Sequence, residues 1–316
     1  MIPNIKLLVF MTVSLSSNVV LSDLISLEDT ELSHVDGAGI GIVLEDFVFE
    51  AGESVDGGNT FDIGGLKTSS GGDVVLSISQ LYIAGADSNQ GANVINNPVN
   101  IGRLTNPFNL ELIDGNDVGV ANKAVFEFAA PKTLNGSRLS ERPDMGIRFD
   151  LEIDGNRAQS LEAHVQKLSI DGSYLRLWGG NGRTEGEIAF NINTPQIDFF
   201  ACDAAGNNCG ETVTFSGVDI TAQLGSGDFQ PVTFEVLSEG QFVFDVASLQ
   251  GKCASVNVSG GCSAGSGGFT ELNEFYTSGP RADIRIDDVT VGGTSFGSST
   301  ITNLQIQYLE VRSRDL

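Results

Sequence analysis

Few residue groupings in this chain could do chemistry, and the first is Gly261-Cys262-Ser263-Ala264-Gly265, which matches the Gly-x-Ser-x-Gly spacing of a nucleophile elbow. An elbow needs a strand before the serine, a helix after it and a histidine later in the chain. Both histidines, His34 and His164, precede Ser263, and the surrounding Gly/Ser sequence reads as a loop, so no acyl-transfer site is expected. Glu152-Ile153-Asp154 resembles the start of the Glu-x-Asp-x-x-Glu strand of some β-sandwich glycosidases, where carboxylates on one strand face share a sugar. The third carboxylate is absent because position 157 is Arg, and Asp154-Gly155 reads as a hairpin turn. Asp114, Asn116 and Asp117, like Asp203, Asn207 and Asn208, offer the oxygen donors a calcium ion takes, without the spacing of an EF-hand loop. The expectation is a solvated turn, with calcium the lesser alternative and no other cofactor. The chain is therefore read as non-enzymatic.

One surface is suggestive as a binding face. In a strand, Tyr174, Arg176 and Trp178 share one side and Leu175 and Leu177 the other. With the leucines inward, an aromatic and guanidinium ladder would face outward, suited to stacking on a glycan, a peptide or another ligand. The competing arrangement, and the expected one, has the single Trp covering a core edge and Arg176 paired with carboxylates.

Such residues need a frame, and alternation supplies it. Ile42, Leu44 and Phe47 to Phe49, then Val74, Leu76 and Ile78, Val125 to Phe128 and Ile147 to Ile153 show the period of half-buried strands. The pattern continues through Leu161 to Ile170, Ile188 to Ile192, Val213 to Leu224, Val232 to Leu237, Phe242 to Val246, Ile284 to Val291 and Ile301 to Val311. Ile-Asp-Gly at 113–115, 153–155 and 170–172 reads as hairpin punctuation, since Asp-Gly tolerates positive φ. The expected fold is all-β: a single elongated antiparallel β-sandwich or curved sheet, residues 39–316, with one short leader-like helix before it. Gly251 to Gly268 reads as a long loop.

Composition sets the address. Lys6 followed by the apolar run Leu7 to Val13 reads as a signal peptide over residues 1–22, with a mature start near Asp23 and a leader-like segment over 23–38. The serines and Asn18 that follow break the run short of a membrane span. In an exported chain, the local pairs Cys202/Cys209 and Cys253/Cys262 read as loop-closing disulfides. Seventeen Lys and Arg against 41 Asp and Glu give a formal charge of −24, which repels nucleic acid and anionic lipid. An outer-membrane barrel ranks below a fold outside the membrane, because Arg312 to Leu316 carries no terminal aromatic and no aromatic girdles stand out.

The segment Leu27-Glu28-Asp29-Thr30-Glu31-Leu32-Ser33-His34-Val35-Asp36-Gly37 resembles the start of exported gammaproteobacterial proteins, some labelled pilus-system proteins of the FilA type. Asp144-Met145-Gly146, Asp171 to Gly179 and Ile306 to Val311 also look like that family, which offers no established activity. The resemblance implies the periplasm, surface or exterior of a Gram-negative bacterium, and surface or pilus-assembly proteins as partners. Glu31, Leu32, Val35, Gly37 and Ala38 are also similar to a double-glycine export leader, which implies a second cut after Ala38.

Overall fold

The computed structural model describes residues 39–52, 61–88, 94, 96–104, 106–132, 139–180, 182–203, 209–237, 241–252, 263 and 268–312. The signal peptide, the leader-like segment and the Cys253/Cys262 pair lie outside them. The fold is all-β, as the alternation predicts. Its strands are β1 (Ile40–Ile42), β2 (Leu44–Phe47), β3 (Phe49–Gly52), β4 (Phe61–Lys67), β5 (Asp73–Ala84), β6 (Val99–Ile101), β7 (Phe108–Asp114), β8 (Ala124–Ala129), β9 (Asp144–Ile153) and β10 (Asn156–Gln166). After these come β11 (Tyr174–Gly180), β12 (Arg183–Asp203), β13 (Val213–Leu224), β14 (Val232–Val236), β15 (Phe242–Val246), β16 (Ala282–Val291), β17 (Thr294–Ser295), β18 (Ser299–Leu304) and β19 (Leu309–Arg312).

Seventeen strands form one antiparallel sheet, and β2 pairs separately with β6. β12 is its spine. Along one edge it pairs with β11 and then β10, and along the other with β14 and then β13. From these neighbours four branches extend: β11-β8-β7-β1, β10-β9-β5 with β3 and β4 beyond, β14-β15-β19, and β13-β16 with β17 and β18.

Of the three Ile-Asp-Gly signals only one is a two-residue hairpin. Asp154 and Gly155, at φ 51 and 74, join β9 to β10, the left-handed pair a type I′ turn requires. Asp114-Gly115 instead opens a 3₁₀ turn over Gly115–Val118, and Asp171-Gly172 leads into β11 from a bridge at Ser169. Among the described residues one α-helix, α1 (Phe269–Ser278), follows the stretch read from the sequence as a long loop. Its Thr, Asn and aromatic residues are indifferent helix formers. It is held by Leu272 and Phe275, buried against Leu249 and Phe229.

The alternation changes phase along one row. In β12 the apolar positions are Ile188, Phe190 and Ile192 on one side of Pro195, and Ile197, Phe199 and Ala201 on the other. β13 changes from Val213 and Phe215 to Val218 and Ile220 across Gly217, and β16 from Ile284 and Ile286 to Val289 and Val291 across Asp287-Asp288. The register puts Pro195, Gly217 and Asp287 side by side. Gly217 has φ 59, and a Cβ there would fall 2.2 Å from Asp287 Oδ2. A left-handed residue interrupts regular strand geometry, and Pro is tolerated in a strand at such an irregularity.

Below that row, burial runs against expectation. Ser77, Asp150 and Ser160 stand opposite one another across β5, β9 and β10, as do Gln80, Arg148 and Glu162, and of these only Arg148 is not fully buried. Alternate positions form apolar rows: Ile78, Phe149, Leu161 and Ala201, and next to it Leu81, Ile147, Ala163, Phe199, Val213 and Val291. Asp150 is 1% exposed, whereas Leu161 is 48% exposed.

Candidate functional site

Tyr174, Arg176 and Trp178 lie on β11 between β8 and β12, and their shared face points into the protein. Of the two arrangements weighed from the sequence this is the inward one, with the Trp in the core and Arg176 among carboxylates, and not the outward ladder. Trp178, 4% exposed, packs with Val120 and Val125 and donates from Nε1 to Glu185 Oε2 at 3.1 Å. Gly180 makes room for that carboxylate, since a Cβ there would come 2.0 Å from Glu185 Oε2.

Arg176 stands in register between Glu127 of β8 and Glu187 of β12. Its Nε donates to Glu127 Oε2 at 2.5 Å and its Nη1 to Glu187 Oε1 at 2.6 Å. The guanidinium carbon lies 4.0 Å from the centre of the Tyr174 ring, within cation–π range. Burial opposes the charge on Arg176, but the two carboxylate hydrogen bonds outweigh it and raise its pKa. Tyr174 is pushed up to about 12, by burial first and then by the Glu187 charge. Glu187 also accepts from the Gly227 amide through Oε2 at 3.0 Å. Every charge in this row is answered by a neighbour. The arrangement can hold three strands and a loop together, and it presents no free group to a ligand.

A second ionic cluster occupies the β5, β9 and β10 branch. Asp150 accepts from Ser160 Oγ at 2.5 Å and from Arg148 Nε at 3.1 Å, and lies 2.9 Å from Arg157 Nη2. Beside it, the buried ring of Tyr82 is 6.1 Å from that of His164. His164 Nε2 is 3.8 Å from Asp144 Oδ2. No short spacing in the sequence marks either cluster. The only local trace is the presence of Arg, Asp and Glu at alternating positions in strands otherwise rich in aliphatic residues.

The other candidates stay apart. Asp114 Oδ1 accepts from both the backbone and side-chain nitrogens of Asn116, which commits it to capping its own turn. Asp117 sits in the same 3₁₀ turn. Among the described residues, no group of three or more His, Cys, Asp or Glu could hold a metal ion. Glu152 lies opposite Arg157 in the hairpin, and Asp154 Oδ1 accepts from the Asp73 amide at 2.9 Å. The elbow-like string falls almost wholly outside the described residues. Cys202 and Cys209 form a disulfide.

A cleft of about 220 Å³ opens beside β6, lined by Asn97, Asn100, Arg103 and Glu141. It is smaller than most small-molecule sites, and Arg103 and Glu141 are paired with each other across it. Among the described residues no helix is long and apolar enough to cross a membrane. No protein-family model, curated protein or solved structure matches the chain.

Proposed function

We propose that this chain is a non-enzymatic structural protein of the exported or cell-surface class, adhesion-related and associated with a pilus-like system. The observation that supports it is the use of the ionisable groups. Arg176, Glu127 and Glu187, like Asp150, Arg148 and Arg157, are spent on one another across neighbouring strands. Catalysis asks for the reverse, a titratable group with a perturbed pKa opening onto a substrate cleft. The signal-like amino terminus, the paired cysteines and the resemblance of Leu27 to Gly37 and Asp171 to Gly179 support the address.

The test is cell fractionation with protease shaving of intact Gram-negative cells producing the full chain, followed by pull-down of surface proteins. Recovery in the outer-membrane or extracellular fraction, with loss on shaving, is expected. Retention in the cytoplasm overturns the address. Hydrolase activity on a glycan or ester panel that is abolished by Glu152→Gln or Ser263→Ala overturns the non-enzymatic reading.

A further inference from the structure

Along β5, β9, β10, β12 and β13 the sheet has one face of carboxylates, guanidinium groups and hydroxyls and one of aliphatic and aromatic side chains. The polar face is the one that is covered. Across the other, Phe61 is 66% exposed, Ile63 43%, Leu161 48%, and Phe199 and Val291 each 37%. Its two central rows hold no ionisable residue, in a chain with a formal charge of −24. We propose that this face is the contact surface for a second copy of the same chain, two sheets packing face to face about a two-fold axis.

Three observations favour that occupant. At ordinary side-chain areas, those five residues alone expose on the order of 500 Å², more than half of the ~800 Å² each partner gives to a standard interface, and the half-buried members of the same rows add to it. Apolar rows that mix large and small residues, as in Phe149, Leu161 and Ala201 or Ile147, Ala163 and Phe199, suit sheet-on-sheet packing, and a two-fold brings the same patch to itself. The uncharged rows also keep the carboxylates of two strongly acidic chains at the rim, where water screens them. A bilayer fits less well. Among the described residues the outer edges of β4 and β18 pair with no further strand, and lipid offers open backbone groups no partner.

Sedimentation equilibrium on the full chain, over about 1 to 100 μM, tests the proposal. The mean mass should climb toward twice that of one chain. Leu161→Glu and Phe199→Glu should each weaken self-association by about 100-fold or more, while Leu104→Glu, in the turn after β6 and outside the strands of this face, should leave it unchanged. Circular dichroism checks that the variants fold. If they do not, hydroxyl-radical footprinting of the unaltered chain decides the matter: labelling of Phe61, Leu161 and Phe199 should fall with concentration, and that of Leu104 should not. A monomer at every concentration, a dimer indifferent to folded Leu161→Glu and Phe199→Glu, protection elsewhere, or a monomer that partitions into phosphatidylcholine vesicles would each overturn it.

Discussion

The ring of Tyr82 lies across Gly146, so close that a Cβ on the glycine would come 2.1 Å from Tyr82 Cε1. Glycine leaves a gap in β9 that the aromatic ring of β5 fills, with His164 of β10 on its far side. Gly146→Ala should therefore destabilise the fold by about 1–3 kcal/mol through overpacking, read as a lower urea midpoint. Tyr82→Phe should cost nothing or stabilise slightly, because the Tyr82 hydroxyl is buried without a hydrogen-bond partner among the described residues. A larger loss from Tyr82→Phe than from Gly146→Ala would contradict this reading.

Removing Arg176 alone leaves Glu127 and Glu187 buried without their counter-charge, though Glu187 keeps the Gly227 amide. Arg176→Met should lower the unfolding free energy by about 3–5 kcal/mol, whereas Arg176→Met with Glu127→Gln and Glu187→Gln should recover much of the loss. Urea unfolding of the unaltered chain, Arg176→Met, the Glu127→Gln/Glu187→Gln pair and the triple variant, taken as a four-cornered cycle, measures the coupling. Additive effects would show that the three groups do not act together.

Acid stability should be biphasic. Burial raises the pKa of Asp144, and burial likewise raises that of Glu162. Folded protein thus holds these protons to higher pH than unfolded chain, so their contribution to stability grows as pH falls through the folded values and is complete below the unfolded ones. Asp150 behaves oppositely. Burial resists its ionisation, but the hydrogen bond from Ser160 and the charges of Arg148 and Arg157 together lower its pKa. Its stabilisation is full above the unfolded value and is lost as pH drops through the folded one. Urea midpoints descending from neutral pH should rise and then collapse. Glu162→Gln should flatten the rise, and Asp150→Asn should remove part of the collapse. A monotonic decline unaltered by Glu162→Gln would refute the assignment.

The Cys202–Cys209 disulfide closes a short loop at the end of β12. Replacing both cysteines with Ser should cost about 2–3 kcal/mol on the chain-entropy account. Comparing urea midpoints with and without reductant separates this bond from the second cysteine pair: the double variant should stay sensitive to reductant only if Cys253 and Cys262 are also joined.

Much of the frame is legible in the sequence. Val125 to Phe128 and Ile147 to Ile153 alternate cleanly, and Asp154-Gly155 takes the two left-handed conformations that hairpins need. Burial was not legible, because alternation tells which residues share a face and not which face is covered. Leu161 and Phe199 invite an inward reading, yet it is Asp150 and Glu162 that are enclosed. Nor does linear order reveal that Glu127, 49 residues away, is in register with Arg176. Helix α1 is not legible because, among the described residues, Leu272 and Phe275 are its buried anchors, and a pair of apolar residues three apart is too weak a periodic signal among Thr, Asn and Gly.

Because β12 is gripped along both edges, tension along its axis must shear two sets of backbone bonds at once. The outermost strands are held differently: β1 meets β7 over three residue pairs, and β19 meets β15 over four. A load applied through Ile40 and Arg312 would peel these strands first and reach the spine last, so the molecule would yield by stages from its margins inward.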